Sequence, residues 1–570
     1  MSTAVASPDR PGDRTSPSRS LLSRRGVPSL LTLIAGLAVG SAFEPTNLWP
    51  LILPGVATLF LIVRRLSSRR AFGLGYVFGL GMLGVSLAWL RVLVPGAGPF
   101  IAALLVLFES LFFGLLGVAL RVVGRLPLWP LWSALCWTGT EWLYSRIPFG
   151  GFGWSRLVFA AVDSPLAGWL PLIGAPGVTF LCALAAGLLA WLVDRWIELP
   201  RRTASRGVGK DANREVSMGV LRPAVPVVSA LLVLGIGGQL ARGFQVEPLA
   251  GSGSVNVGMV QGNVDGEGIG GMGRARSVTN NHLSETVTLM ARAELGAVPM
   301  PDFIVWPENS TDIDPLRDVR TNRVVESASS LVGRPIFVGA VLEGPGVDER
   351  QTAGLWWTTD GVTGRYAKRN LVPFGEYVPL RSTLLPVVPL LELVGSQSVP
   401  GTSPGVLDVT LADGRQLSVG DVICFELAYD DTVREAVDGS QVMVVQSNNA
   451  TYRGTPQIDQ QFAITRVRAM ESRREITVAT TNSVSGFIDR DGRVVDRTRE
   501  MTSASNSYPM PLRTELTPAM RIAGPLDNAL SGAAVVAVLA GIVVGRRPRR
   551  PGQPDSTHPV PTHPVSTHQA

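Results

Sequence analysis

The chain has 570 residues, 46% hydrophobic and only 17% charged, with a formal charge of +6 and a mean hydropathy of +0.25. That length allows more than one domain. The hydropathy is high for a water-soluble protein, and arginine clusters beside apolar segments, which favours membrane topology over nucleic-acid binding. Three isolated cysteines give no disulfide framework. Of the four histidines, His558, His563 and His568 sit in the tail, which argues against a His-based metal site or a Cys–His or Ser–His nucleophile pair.

Residues 1–27, rich in Ser, Pro and Arg, read as a disordered cytoplasmic arm. Residues 28–242 read as a membrane domain of about seven transmembrane helices, over 30–43, 48–63, 72–90, 100–120, 128–143, 170–193 and 223–240. Several of these fall short of the roughly 20 residues that span a bilayer, and a signal peptide would explain only the first. An eighth helix is expected within 526–545, followed by a disordered cytoplasmic tail at 546–570. Alternate short connections hold 22 Lys and Arg on one side against three on the other, Arg91, Arg146 and Arg156. The positive-inside rule then puts both termini in the cytoplasm and the long stretch 243–525 outside the cell membrane.

That stretch alternates short β-rich runs (255–264, 303–306, 335–342, 419–425 and 442–446) with helix-like segments near 280–295, 317–331 and 456–474. Alternation of this kind predicts an α/β domain with helices layered on a sheet. It shows no convincing internal repeat.

Three places in this domain could carry chemistry. A buried-looking strand ends on Glu308, in Ile304-Val-Trp-Pro-Glu308-Asn. Lys368 is one of only two lysines, with Lys210, in a chain whose other 49 basic residues are Arg. Cys424, in Asp421-Val-Ile-Cys424-Phe-Glu426, is the domain's only thiol. Singly these are weak: a Glu after a strand is usually a solvated turn residue, and a lone Cys in an apolar strand is more often inert core, by about three to one. Together their chemistry coheres. A free thiol titrates near 8.5 and must lose its proton to attack an acyl carbon. A carboxylate can take that proton, and a compact ammonium can face both a thiolate and an oxyanion where a planar guanidinium would need more room.

The order Glu308, Lys368, Cys424, with Phe374-Gly-Glu376 after the lysine and Glu426 after the cysteine, resembles the carbon–nitrogen hydrolase (nitrilase) superfamily. The resemblance implies an αββα sandwich with Cys as nucleophile, Glu as general base and Lys at the oxyanion. It narrows further on Glu44-Pro, Leu48-Trp-Pro, Val257-Gly-Met-Val-Gln261-Gly-Asn263 and Lys368-Arg-Asn-Leu-Val-Pro-Phe-Gly-Glu376-Tyr-Val-Pro. With eight expected spans around an external nitrilase-like domain, these resemble the apolipoprotein N-acyltransferase family over about residues 28–545. That likeness implies a multi-pass helical membrane domain and a two-step, cofactor-free reaction without metal. Cys424 would take a fatty acyl group from a membrane glycerophospholipid and pass it to the α-amine of a diacylglyceryl-cysteine at a lipoprotein N-terminus. By the same carry-over, Glu308 is the base, Lys368 and the Phe425 N–H hold the oxyanion, Glu376 supports Lys368 and Glu426 lines the site. The chain departs from the family pattern in the Gly-rich stretch 266–273 and at Ala450-Thr-Tyr452, where an aromatic pair is common.

A triad cannot say whether water or an amine resolves the thioester, but the membrane half argues for transfer between two lipids that stay in the bilayer. The apolar stretch 380–400 reads as a lid or acyl-chain wall, or equally as ordinary core. A membrane-anchored amidase and a catalytically silent lipid-binding scaffold are the alternatives. Glu109, in the middle of an expected span, is expected to face protein interior.

Overall fold

The computed structural model describes residues 26–94, 96–204, 212–249, 253–264 and 275–546. The arm at 1–25, the tail from 547, Lys210 and the Gly-rich stretch 266–273 lie outside the described residues.

Each apolar segment expected from the sequence falls on helix. In chain order these are α1 (Val27–Gly40), α2 (Ile52–Val63), α3 (Ser68–Ser86), α4 (Gly98–Val123), α5 (Trp129–Tyr144), the short α6 (Leu157–Ala160), α7 (Leu170–Ala204) and α8 (Ala212–Ala241). By length and composition, four helical stretches among the described residues can cross a bilayer: Gly98–Val123, Pro165–Glu198, Ala224–Ala241 and Pro518–Arg546. The others are shorter or less apolar; α1 and α2 have 14 and 12 residues, and α3 opens on Arg69 and Arg70. Small residues let α1, α3 and α4 approach closely. A Cβ at Gly36, Gly75 or Gly117 would stand 2.2 Å from a carbonyl oxygen of the facing helix, the close contact that drives helix association where lipid removes the hydrophobic incentive. The outward faces of α4 and α8 expose Phe100, Leu104, Leu111, Leu232, Val233 and Leu240, as lipid-facing helices should. Glu109 of α4 is buried, as expected.

The α/β domain holds two sheets. The first, ordered β13-β1-β2-β3-β4-β5, comprises β1 (Ser254–Gln261), β2 (Phe303–Val305), β3 (Ile336–Glu343), β4 (Glu349–Thr358), β5 (Gly361–Ala367) and β13 (Ala504–Pro511), with β6 (Gln397–Ser398) paired to β4. The second, ordered β12-β11-β10-β9-β8-β7, comprises β7 (Val406–Thr410), β8 (Gln416–Ile423), β9 (Val442–Ser447), β10 (Ile476–Thr480), β11 (Gly486–Ile488) and β12 (Val494–Arg497). The middle strands β1–β2–β3 and β8–β9–β10 run parallel. Strand alternation sorts the residues. Val419, Ile423, Val442 and Val444 face Val257, Phe303, Phe337 and Trp356 between the sheets, while Val422, Met443 and Val445 point outward.

Helices complete the αββα sandwich. The first sheet is covered by α9 (Ser277–Glu294) and α10 (Val319–Val332). After the short α11 (Arg381–Leu384), the second sheet is covered by α12 (Asp430–Val437) and α13 (Pro456–Ser472). The chain ends on α14 (Pro518–Arg546), packed against α4, α5 and α7. The outer layers differ in what lies beyond them. The core under α12 and α13 runs without a break into the core of the membrane helices, whereas the core under α9 and α10 is separate.

Candidate active site

The expected residues meet at the C-terminal ends of strands, where α/β sheets gather reacting groups: Glu308 and Cys424 after the parallel β2 and β8, Lys368 after the antiparallel edge strand β5. Beyond β2, Pro307 and Glu308 cross over β3 at Gly339, where a Cβ would stand 2.1 Å from the Pro307 carbonyl oxygen. Buried Glu308 accepts from Lys368 Nζ at 2.9 Å through Oε1 and from the Asn448 N–H at 2.8 Å through Oε2. Lys368 follows β5, and its Nζ also donates to Glu376 Oε1 at 3.0 Å. Glu376 is fixed in turn by the Val372 N–H, at 2.8 Å from Oε2. One buried nitrogen thus sits between two carboxylates. Burial disfavours its charge, but Glu308 and Glu376 outweigh that and hold the ammonium well above its usual range. Burial raises Glu308 above the ordinary carboxylate value, partly countered by Lys368.

Cys424 follows β8 as the first residue of a 3₁₀ turn, Cys424–Ala428, in the left-handed region at φ 54°. A non-glycine residue held in a sparsely populated conformation costs of order 1–3 kcal/mol and needs its surroundings to enforce it. Glu426 supplies that enforcement. Fully buried, it accepts from the Ile423 N–H at 2.8 Å, the Arg369 N–H at 2.7 Å, the Asn370 N–H at 3.2 Å and the Tyr366 hydroxyl at 2.8 Å. Rather than lining the site, Glu426 works behind it and ties the cysteine turn to the lysine segment. A second tie joins the sheets: Gln446 Nε2 donates to the Trp306 and Phe337 carbonyls at 2.6 and 3.1 Å. The Phe425 N–H is among the first of its turn, which leaves it without a partner inside that turn.

Cys424 is partly exposed, while Cys136 and Cys182 are buried in α5 and α7. Desolvation and the Glu308 carboxylate push its thiol up to about 12, against the pull of Lys368 and a hydrogen bond with the Ser447 side chain. The resting thiol is therefore neutral, beside an ammonium hydrogen-bonded to two carboxyl groups. Among the described residues no group of His, Cys, Asp or Glu is arranged to hold a metal ion.

The membrane half reaches this site chiefly through the loop 145–156 and through Trp89, contacts the sequence reading missed. Phe152 and Trp154 stack on the Phe425 ring at 5.4 and 6.0 Å. Tyr377 and Tyr429 donate to the Phe149 and Gly151 carbonyls at 3.2 and 3.3 Å. The Gln460 amide uses both ends: it accepts from Trp89 and Trp154 at 3.1 and 2.8 Å and donates to the Glu44 and Ser86 carbonyls, both at 3.0 Å. Arg156 Nη1 meets both Asp430 oxygens at 2.8 Å and its Nε lies 3.7 Å from Glu141. Arg468 reaches Asp430 at 2.7 Å and Glu471 at 2.8 Å. Glu471 then accepts the Ala175 N–H at 2.7 Å, beside Gly174, whose positive φ of 67° kinks α7. Trp89 packs edge-on against Tyr452, 5.0 Å away, and Tyr452 lies within the field of Cys424, Glu376 and Lys368. The one sequence signal for this interface was the run of Trp and Phe near 149–154, which composition alone assigns equally to lipid.

The stretch 380–400 is not core. Leu380, at the start of α11, Val387 and Val388 after it, and Leu390 and Leu393 in the turn Pro389–Val394 are exposed; so are Phe149 and Phe374, whose rings meet edge-on at 6.4 Å.

A cysteine set on a strained turn opposite a Glu–Lys pair, between two sheets flanked by helices, defines a carbon–nitrogen hydrolase fold and site. The model of the carbon–nitrogen hydrolase family matches residues 346–504, which include Lys368 and Cys424; Glu308 lies upstream and joins them only in three dimensions. The N-terminal domain model of apolipoprotein N-acyltransferase matches residues 35–188. An apolipoprotein N-acyltransferase from Mycolicibacterium smegmatis is 35% identical over 90% of this chain and 85% of its own length. One from Pseudomonas putida is 28% identical over 85% and 91%. Among solved structures, a carbon–nitrogen hydrolase superfamily protein from Xanthomonas campestris aligns with 50% of this chain and 97% of its own at 16% identity, with a TM-score of 0.32. The chain belongs to the apolipoprotein N-acyltransferase family.

Proposed function

We propose that this acyltransferase N-acylates lipoproteins in two half-reactions at Cys424. In the first, Glu308 takes the thiol proton, and sulfur attacks the ester carbonyl of a membrane glycerophospholipid. Lys368 and the Phe425 N–H stabilise the oxyanion, as pre-aimed donors do in a water-poor site. The C–O bond breaks, and the departing lysophospholipid takes the proton from Glu308. In the second, the α-amine of a diacylglyceryl-cysteine attacks the thioester; Glu308 accepts its proton and returns it to sulfur as the S–C bond breaks.

The observation that carries this reading is the joint position of Cys424. It faces the Glu308–Lys368–Glu376 cluster on one side, while its neighbour Phe425 is stacked on Phe152 and Trp154 of the membrane half. A soluble-amide hydrolase has no use for that placement, and a silent scaffold has no use for a lysine between two carboxylates. Purified protein incubated with phospholipid is expected to carry a fatty acyl thioester on Cys424, which a diacylglyceryl-cysteine peptide discharges as a triacylated product. An active enzyme with its acyl group on another residue would sink the mechanism.

The same reading places residues 28–242 and 526–545 in the bilayer, 243–525 on the extracytoplasmic side and both termini in the cytoplasm, on the strength of the 22-to-3 basic asymmetry. Reporter fusions at Gly209 and Asp348 should give opposite compartment signals; matching signals would refute this topology.

A further inference from the structure

A closed ring of buried amides lies next to the nucleophile, and the reaction as derived does not use it. Ser447 ends β9, and Asn449, Gln457 and Gln461 come from the following turn and the first turns of α13; all four are at most 4% exposed. Gln461 Nε2 donates to Ser447 Oγ at 2.8 Å. Asn449 Nδ2 donates to Gln461 Oε1, and Gln457 Nε2 donates to Asn449 Oδ1 at 3.2 Å. Because Gln461 Oε1 is taken as an acceptor, its NH₂ must face Ser447, and Ser447 Oγ must accept. A hydroxyl has one proton to give. Here that proton can go to Asn449 Oδ1, a long 3.3 Å away and already an acceptor, or to the Cys424 sulfur: the parallel pairing that ends on Ile423 and Gln446 sets Cys424 alongside Ser447, and the Ser447 side chain draws the thiol's titration down.

We propose that Ser447 is a further catalytic residue: its hydroxyl donates a hydrogen bond to the Cys424 thiolate and is held in that role by the Asn449–Gln457–Gln461 ring. The proposal rests on Cys424 being the nucleophile. In the resting enzyme the Ser447 proton is shared with Asn449. When Glu308 takes the thiol proton, the Ser447 O–H turns to the new anion with no bond broken. As the S–C bond forms and the sulfur loses charge, it turns back. Two of the three Lys368 N–H donors go to Glu308 and Glu376, and a hydroxyl on the sulfur leaves the third for the oxyanion. The charged and titratable groups facing the sulfur are Glu308 beyond β2, Lys368 and Glu376 after β5, and the Tyr452 phenol. Ser447 adds a neutral donor from the opposite sheet.

The test is the pH dependence of Cys424 alkylation by iodoacetamide, which reads the thiolate without any lipid substrate, together with the rate of acyl-enzyme formation. Full-length Ser447→Ala is expected to move the alkylation profile to higher pH and to slow acylation at pH 7 about 10- to 100-fold, a little below the loss of one full oxyanion donor. Ser447→Thr, which keeps the hydroxyl, should restore both. Gln461→Met keeps the volume but removes the amide that directs the proton toward sulfur, and should shift alkylation in the same direction as Ser447→Ala. It carries the test if Ser447→Ala fails to insert. Wild-type profiles for Ser447→Ala or Gln461→Met overturn the proposal. Unaltered activity in Cys424→Ala would instead overturn the reaction on which it rests.

Discussion

The two sheets divide the chemistry and are anchored differently. The first carries the charges, Glu308 after β2 and Lys368 after β5, under its own core with α9 and α10. The second carries the proposed nucleophile, Cys424 after β8, with Ser447 on β9, and its outer helices share one core with the membrane domain. In the proposed reaction the anchored half holds the atom that takes the acyl group, and the other holds the groups that prepare it. Glu426 and Gln446 set the distance between them, since each reaches from the second sheet to backbone of the first.

The largest expected effect falls on the anchored half. Cys424→Ser should abolish transfer, because an alkoxide is far harder to form at neutral pH than a thiolate. The double variant Cys136→Ala, Cys182→Ala should keep activity. Lipopeptide N-acylation by purified variants measures both, and a working Cys424→Ser would erase the distinction between the halves. Next comes the join to the membrane. Arg156→Met leaves Asp430 and Glu141 buried with one cation fewer, and breaking a buried pair in this way costs about 3–5 kcal/mol. Thermal unfolding in detergent should show it, and an unchanged midpoint would mean that the interface does not depend on this pair.

On the charge-bearing half, Lys368→Arg keeps the charge but cannot fit a planar fork between carboxylates 2.9 and 3.0 Å from one nitrogen. Turnover should fall about 10²–10³-fold, equivalent to roughly 2.7–4 kcal/mol, with membrane insertion unchanged and Lys210→Arg silent. Near-normal turnover would remove Lys368 from the oxyanion. The smallest effect tests whether the first sheet's outer layer responds separately. His282 in α9 is buried against Trp306, donates from Nδ1 to the Val278 carbonyl, and is pushed down to about 4 by burial. The unfolded chain therefore binds this proton first. Stability contributed by neutral His282 is present above about 6.5 and is lost toward pH 4, by up to about 1.4 kcal/mol per pH unit. His282→Gln should flatten that part of the stability profile, and an unchanged acid limb would assign the loss to other groups.

Much of this was legible in the sequence, for physical reasons. Membrane helices announce themselves by apolar length, and β1, β2, β3, β8 and β9 by runs of Val, Ile and Phe buried on both faces. That Glu308, Lys368 and Cys424 come together was legible because Lys368 is a rare lysine and Cys424 the domain's lone thiol. The hairpin of β4 and β5 was missed although Asp360-Gly361 sits at its turn, because Arg, Gln and Thr interrupt the apolar pattern of both strands. Glu426 was misplaced because sequence proximity to a nucleophile does not reveal which way a side chain leaves a 3₁₀ turn. The loop 145–156 was opaque because an aromatic that stacks on Phe425 and one that sits in lipid are spelled alike.

The shared core of the membrane helices and the second sheet also bears on how this protein can be produced. Cut free of the membrane helices, the sandwich would show water an open wound of Phe425, Val433, Ile458, Phe462 and Met470, all covered in the intact chain. Such a fragment has nothing to shield that surface and should aggregate. Proteolytic shedding, soluble expression and domain grafting, the ordinary fates of anchored enzymes, are closed to this one.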